Sequence, residues 1–415
     1  MPLISSLKGR IVYNSRGSKS IEIDVITDNK FLGRACAPSG ASVGSHEVPS
    51  FVDNNAELTL QKFESNKTKF VGADASDLKG INQILRDIDT SDNYSGVGGS
   101  VAYGVSIASA ASASLSLNVP LFVMLNKHGQ YRFPYPLGNI LGGGSHAGPG
   151  TPDIQEVLVC PIGSKTINQA LEANFKIHKE VRMLLEKKDK NFTYGRGDEG
   201  AWAPNLNNDE AVSIVAQAVE DSGLKLGKDI ALGIDFASSS LWDPKRKIYD
   251  YSRQGLVRTT QEQIEFVENL IKNYHLIYAE DPVNEDDFES MATLTKRNSE
   301  CFITGDDMLV TSSERVNEAR KYGACNAAIL KVNQAGTLHD ALDFANTCAK
   351  NNIRIITSHR SGESIDSHIS HIAVATASKM IKTGVVGGER VSKLNELLRL
   401  SEYDLIKGMI DLSFT

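Results

Sequence analysis

Between residues 230 and 360 the chain repeats one design, a short apolar run that ends on a polar or charged residue. Ile230-Ala231-Leu232-Gly233-Ile234 precedes Asp235, Leu276-Ile277-Tyr278-Ala279 precedes Glu280, and Cys301-Phe302-Ile303-Thr304-Gly305 precedes Asp306. Ala327-Ala328-Ile329-Leu330 precedes Lys331, and Arg354-Ile355-Ile356-Thr357-Ser358 precedes His359 and Arg360. Successive end residues lie 45, 26, 25 and 28 positions apart. Runs this short and apolar suit strands buried on both faces. A repeat of about 25 residues accommodates one strand, one helix and two loops of a β/α barrel, whose strand ends converge on one face. A doubly wound open sheet shares the same grammar and is the structural alternative. Between the strands, Leu338, Ala341, Leu342, Ala345 and Cys348 mark the apolar face of one helix. Thr260-x-x-Gln263 and Thr311-x-x-Glu314 are expected to open two others as capping boxes.

The N-terminal part follows a different rule. Ile21, Ile23 and Val25 alternate with Glu22 and Asp24 in strand fashion, and Asp28-Asn29-Lys30 reads as a turn. A Gly- and Ser-rich loop, Pro38 to Ser45, precedes largely helical sequence to about Leu125. Strands followed by helices indicate an α+β module. The expected organisation is an α/β chain with an N-terminal cap over 1–130 and a barrel over 131–415. Ser100 to Leu125 carries no charge, but Ala and Ser dominate it and Pro120 interrupts it, so close-packed buried helices are expected rather than a membrane span.

Composition bounds the function. With 415 residues, 41% hydrophobic and 23% charged, the chain can bury a sizeable core, which excludes a disordered or collagen-like polymer and a small disulfide scaffold. A formal net charge of -7 argues against a general nucleic-acid binder. The five cysteines are scattered without a C-x-x-C, as for free thiols in a reducing compartment, and the N-terminus lacks the apolar core of a secretory signal. A cytoplasmic protein is expected.

Asp235, Glu280 and Asp306 would meet at one barrel mouth. Three unpaired carboxylates at close range repel, and a hard divalent cation such as Mg²⁺ or Mn²⁺ removes the conflict. Lys331 comes next at the same level, either as their ion-pair partner or, with a lowered pKa, as a base. His359-Arg360-Ser361 offers donors suited to phosphate or carboxylate, and Lys382 adds a further cation. Gly142-Gly143-Gly144-Ser145-His146 and Gly197-Asp198-Glu199-Gly200 are glycine loops that carry a histidine and two acids. No G-x-x-x-x-G-K-[ST] occurs, and Gly195 to Gly200 spells G-x-G-x-x-G without a preceding apolar strand, so nucleotide binding lacks its context.

Taken in order, Ser39-Gly40-Ala41-Ser42, Gly143-Gly144-Ser145-His146-Ala147, Gln155-Glu156, Gly197-Asp198-Glu199-Gly200 and Asp235-Phe236-Ala237-Ser238-Ser239 resemble enolase motifs. Glu280-Asp281-Pro282, Gly305-Asp306-Asp307, Leu330-Lys331-Val332-Asn333-Gln334, Ser358-His359-Arg360-Ser361-Gly362-Glu363 and Ile381-Lys382-Thr383-Gly384 extend the resemblance along nearly the whole chain. It implies a barrel with an atypical ββαα start and the reversible dehydration of 2-phosphoglycerate to phosphoenolpyruvate. It also implies two Mg²⁺ ions, the first held by Asp235, Glu280 and Asp306, the second arriving with substrate and helped by Ser42. Lys331 would be the general base, and Glu199 the acid that assists departure of the C3 hydroxyl, with Glu156 its partner. His146, Glu156, His359, Arg360, Ser361 and Lys382 would contact the substrate. Enolases are usually dimers or larger homo-oligomers, and Glu22 and Arg399 match a pair that bridges subunits. The chain departs from the family at Asn14 to Ser20, at Val43, at Ser240, and at Ala201-Trp202, where a second glycine is usual. A sugar-acid dehydratase of the same superfamily and a non-catalytic scaffold are the competing readings. The first should lack this set of Glu199, Lys382 and Ser-His-Arg-Ser, and the second should have lost a catalytic charge.

Overall fold

The computed structural model describes residues 1–40, 44 and 46–413. Three antiparallel strands, β1 (Ile4–Tyr13), β2 (Lys19–Thr27) and β3 (Phe31–Cys36), open the chain in the order β1-β2-β3. Helices α1 (Ala56–Asn66), α2 (Leu78–Ile88), α3 (Gly99–Ser116) and the single turn α4 (Leu121–Leu125) follow. The alternation in β2 has the expected consequence, with Ile21, Ile23 and Val25 wholly buried. They face α3, whose Ala and Ser residues are buried nearly all round and let the helix lie close on the sheet. At Gly33 the approach is so tight that an added Cβ would lie 2.0 Å from the Ala108 carbonyl oxygen. The charge-free stretch is thus interior packing, and among the described residues no helix is long and apolar enough to cross a membrane.

Strands β4 (Tyr135–Gly142) and β5 (Glu156–Cys160) come next, then helices α5 (Ile167–Lys188) and α6 (Asn208–Asp221), then β6 (Ala231–Asp235). A small antiparallel sheet, β7 (Trp242–Asp243), β8 (Ile248–Tyr251) and β9 (Leu256–Arg258), precedes α7 (Thr260–Tyr274). Regular alternation follows: β10 (Leu276–Glu280), α8 (Phe288–Arg297), β11 (Phe302–Gly305), α9 (Ser313–Tyr322) and β12 (Ala327–Leu330). The chain then runs through α10 (Val332–Ala335), α11 (Leu338–Lys350), β13 (Arg354–Ser358), α12 (His368–Ala375), β14 (Met380–Lys382) and α13 (Gly388–Leu400). Eight strands close into a barrel in the order β10-β11-β12-β13-β14-β4-β5-β6, so the open-sheet alternative is excluded. All neighbours are parallel except β5, which runs antiparallel to both β4 and β6. Tyr135, Leu158, Tyr278, Phe302, Ile329 and Met380 form one buried cluster from the barrel strands, and Met409, Ile410 and Leu412 pack against it; the Tyr278 hydroxyl reaches Glu280.

Both capping expectations need correction by one residue. The box on α7 is formed by Thr259 and Glu262, because Thr259 keeps the extended backbone an N-cap requires while Thr260 is already helical. Helix α9 is capped by Ser312. Thr311 instead turns inward, its hydroxyl donating to Gln334 Oε1 (2.8 Å) and accepting the Lys331 backbone N–H (3.0 Å).

Candidate active site

Register decides which acids meet. Asp235 at the end of β6 pairs with Glu280 at the end of β10 on one side and with Glu156 on the other. Because β5 is reversed, its first residue, not its last, lies at this mouth. Across the barrel Ser358 pairs with Lys382. The Lys382 ammonium reaches over to Glu280 Oε2 (2.6 Å), Asp235 Oδ2 (2.8 Å) and Glu156 Oε2 (3.2 Å). Burial would lower its pKa, but these three carboxylates outweigh that and hold it well above the usual lysine value. Burial and the Asp235 charge in turn push Glu280 well up, and its Oε1 is buried without a hydrogen-bond partner among the described residues.

Asp306 follows β11 and is gripped by the ammonium of Lys331, which follows β12. Gln334 Nε2 donates to the other Asp306 oxygen (3.1 Å). The sequence raised the possibility of a lowered Lys331 pKa. Here burial does act in that direction, yet Asp306 outweighs it and the pKa is raised. The anticipated triad is therefore divided between two lysines: Asp235 and Glu280 share Lys382, while Asp306 pairs with Lys331. Asp306 is instead grouped with Asp281 and Asp307, their oxygens within 4.8 Å of one another. Asp281 accepts the backbone N–H groups of Asp306 (3.0 Å) and Asp307 (2.8 Å), so it shapes the loop that presents Asp306.

On the opposite wall stand Glu199, Glu156 and two histidines. His146 Nδ1 lies 3.2 Å from Glu156 Oε1 and 3.7 Å from Glu199 Oε1, and His359 Nε2 lies 3.1 Å from Glu199 Oε2. Asn139 Nδ2 donates to Glu199 (3.2 Å). Burial opposes the Glu199 charge, but His359, His146 and Arg390 outweigh it and hold the pKa well below the usual carboxylate range. Burial and the Glu199 charge push Glu156 up to about 7. The resemblance gives Glu199 the acid's role with Glu156 its partner; their surroundings drive the two apart in pKa, Glu156 upward and Glu199 downward. Burial lowers His359 to about 4, leaving a neutral ring. Arg390 Nη1 lies 2.8 Å from its Nδ1, and a guanidinium can only donate, so the ring proton sits on Nε2, facing Glu199.

Arg390, wholly buried on α13, was missed by the sequence reading. It also donates to the carbonyls of Arg360 (2.6 Å), Ser361 (2.6 Å) and Asp198 (3.0 Å), tying the loop after β13 to the Glu199 loop. A buried arginine leaves no local pattern that distinguishes it from a surface one. Glu47 from the cap was missed as well, and it meets Arg360 inside the pocket. Ser42, assigned to a second metal by resemblance, lies outside the described residues. The remaining assigned residues, with Ser361 included, converge on one polar pocket, and Glu280 lies just behind it against Lys382. Of the two residues matched to a subunit-bridging pair, Glu22 faces Arg10 and Arg34, and exposed Arg399 donates to Glu396 (2.7 Å).

The unusual Trp202 braces the Glu199 loop. Its backbone bonds to Ile140 and Gly142 at the end of β4, its indole N–H donates to the His178 carbonyl (2.8 Å), and His178 stacks on it at 4.7 Å. His178 Nε2 is 3.0 Å from the Gly200 carbonyl. Gly200 itself has φ +80°, and a Cβ there would lie 2.2 Å from the Val386 carbonyl oxygen, so only glycine fits. Burial lowers the His178 pKa from 6.5 to about 4. Between those values only the unfolded chain holds the proton. Stability is therefore full above pH 6.5 and falls as the pH drops towards 4, by up to about 1.4 kcal/mol per pH unit for this ring. Urea unfolding of a His178→Gln variant across that range should lose one proton's share of the slope; an undiminished slope would refute the assignment.

A family model described as "Enolase, N-terminal domain" matches residues 4–125, and one described as "Enolase, C-terminal TIM barrel domain" matches residues 130–408. The chain is 43% identical over 414 residues to a protein named Enolase from Methanothermobacter thermautotrophicus, covering 99% of each. It is 42% identical over 412 residues to the Enolase of Methanosphaera stadtmanae, again 99% of each, and 38% identical over 400 residues to that of Pyrobaculum aerophilum, 95% of each.

Proposed function

Because the chain belongs to the enolase family, we propose that it dehydrates 2-phosphoglycerate reversibly to phosphoenolpyruvate, with the charges of this one pocket in distinct roles. The observation that carries the reading is the juxtaposition in a single pocket of a lysine, a carboxyl pair with pKa values driven apart, and the Arg360 guanidinium.

Lys331, once its ammonium has given up a proton to become the neutral amine, takes the proton from C2. The electron pair left behind closes the C2–C3 double bond as the C3 hydroxyl departs, and a proton from the Glu156–Glu199 pair turns that hydroxyl into water. Glu156 is the member that holds a proton more readily, and Glu199, 3.7 Å or less from both histidines, is placed to relay it. Arg360, Ser361 and His359 hold the phosphate end, and His146 the hydroxyl side. Lys382 lies across the carboxylates and is placed to face the negative charge that grows on the substrate carboxylate.

The residues fit a hard divalent cation. Asp235, Glu280 and Asp306 offer only oxygen, and Glu280 Oε1 is buried without a hydrogen-bond partner among the described residues. These three would hold one Mg²⁺, and Ser42 would help hold a second. What such cations supply when bound is positive charge against the substrate carboxylate and competition with Lys331 for the Asp306 oxygens. The chain would act in glycolysis and gluconeogenesis as a cytoplasmic homodimer or larger homo-oligomer, as the resemblance to enolases implies; its five free, buried cysteines suit a reducing compartment.

The test is absorbance of phosphoenolpyruvate formed from 2-phosphoglycerate by the purified protein with Mg²⁺, and again with chelator. Formation that stops on chelation is expected. Turnover of a sugar acid with none of 2-phosphoglycerate would overturn the reading in favour of a superfamily dehydratase.

A further inference from the structure

We propose that Glu47 of the cap is a positioning residue for Arg360, holding its guanidinium in the orientation that meets the substrate's phosphate. The inference rests on the enolase reading above and assigns a part of the phosphate subsite to the N-terminal module.

The geometry is that of a paired fork. Arg360 Nη1 donates to Glu47 Oε2 (2.7 Å) and Nη2 donates to Glu47 Oε1 (3.1 Å), and both side chains are 4% exposed. Such bidentate pairing fixes the guanidinium plane as well as its position. The carboxylate is itself held. Gly44 N–H donates to Oε1 (3.0 Å), Gln334 Nε2 approaches the same oxygen (3.3 Å), and the Glu47 N–H closes back on the Gly44 carbonyl (3.1 Å). Gln334 also donates to Asp306, so one amide spans the Glu47–Arg360 pair and the Asp306–Lys331 pair. An arginine has a long side chain with many rotamers, and a buried one needs a counter-charge. From the barrel, Asn333 Oδ1 lies near Nη1, at 3.3 Å, and Asp306 and Asp307 act on the guanidinium through their charge. Glu47, 313 residues away in sequence, adds the two-point carboxylate contact that sets the aim.

The phosphate hangs from C2 through its ester oxygen, but no bond to phosphorus is made or broken, and its charge is the same before and during reaction. Loss of its alignment is therefore a loss of uniform binding, which raises KM and spares kcat. Glu47→Gln, assayed on 2-phosphoglycerate in the full-length Mg²⁺-loaded protein, should raise KM roughly 10- to 100-fold with kcat within about threefold. Glu47→Asp keeps the charge with a shorter reach, and should fold even if the glutamine variant does not. It should show the same KM defect, but smaller. In an Arg360→Lys background, whose own KM is already raised, Glu47→Gln should add less than about threefold, since the fork it supports is gone.

Wild-type KM in both Glu47 variants would overturn the proposal. So would a Glu47→Gln effect that recurs undiminished beside Arg360→Lys, or one that appears only as a lowered melting temperature. An inactive wild-type protein would instead overturn the enolase reading, so the two failures are distinguishable.

Discussion

Lys331→Ala should abolish turnover, with phosphoenolpyruvate formation falling by roughly 10³- to 10⁴-fold, while the variant still folds and binds phosphoenolpyruvate. The loss follows from where the lysine stands. It is the residue directly after β12, its backbone N–H fixed by Thr311, its ammonium against Asp306. Arg360 and Lys382 remain to bind the anionic ligand, so binding and chemistry separate. Lys331→Arg sharpens the test. A guanidinium preserves the ion pair with Asp306 but cannot shed a proton, so it should be as inactive as the alanine variant. Stopped turnover and retained ligand binding, measured by absorbance and calorimetry, are the expected pair of results. A rate near wild type in either variant would remove Lys331 from the role of base.

The second large effect is on stability. Lys382 is the shared partner of Glu156, Asp235 and Glu280, all buried at the barrel mouth. Lys382→Ala removes the one ammonium that touches all three, and removing one side of a buried ion pair costs about 3–5 kcal/mol. Urea unfolding in the presence of chelator should show that deficit. Adding Mg²⁺ should stabilise the variant more than the wild type, because a divalent cation at Asp235 and Glu280 replaces part of the missing charge. Wild-type stability in chelator would mean that the carboxylates tolerate one another unaided, and the electrostatic account of the mouth would fall.

Much of this site was legible without coordinates, and the reason is local. A strand buried on both faces must be apolar, so the first charged residue after it marks the strand's end, and Asp235, Glu280, Asp306, Lys331 and His359 are all marked in that way. Glu156 carries no such mark as an end residue, since it begins its strand. It reaches the mouth only because β5 is antiparallel, a feature that came from the resemblance and not from the pattern. Thr259 and Ser312 were each missed by one position, since a capping box and its neighbouring register look alike until the backbone shows which residue is still extended.

The sequence by itself determined the barrel's repeat, the cap that precedes it, and the inventory of acids, bases and cations delivered to one face. The tertiary structure alone decided their pairing: Lys331 with Asp306, Lys382 among three carboxylates, Glu47 with Arg360, and Glu156 pushed up in pKa while Glu199 is held down. Elements form from neighbours along the chain, whereas charge interactions depend on separation and burial in space, and residue order carries neither.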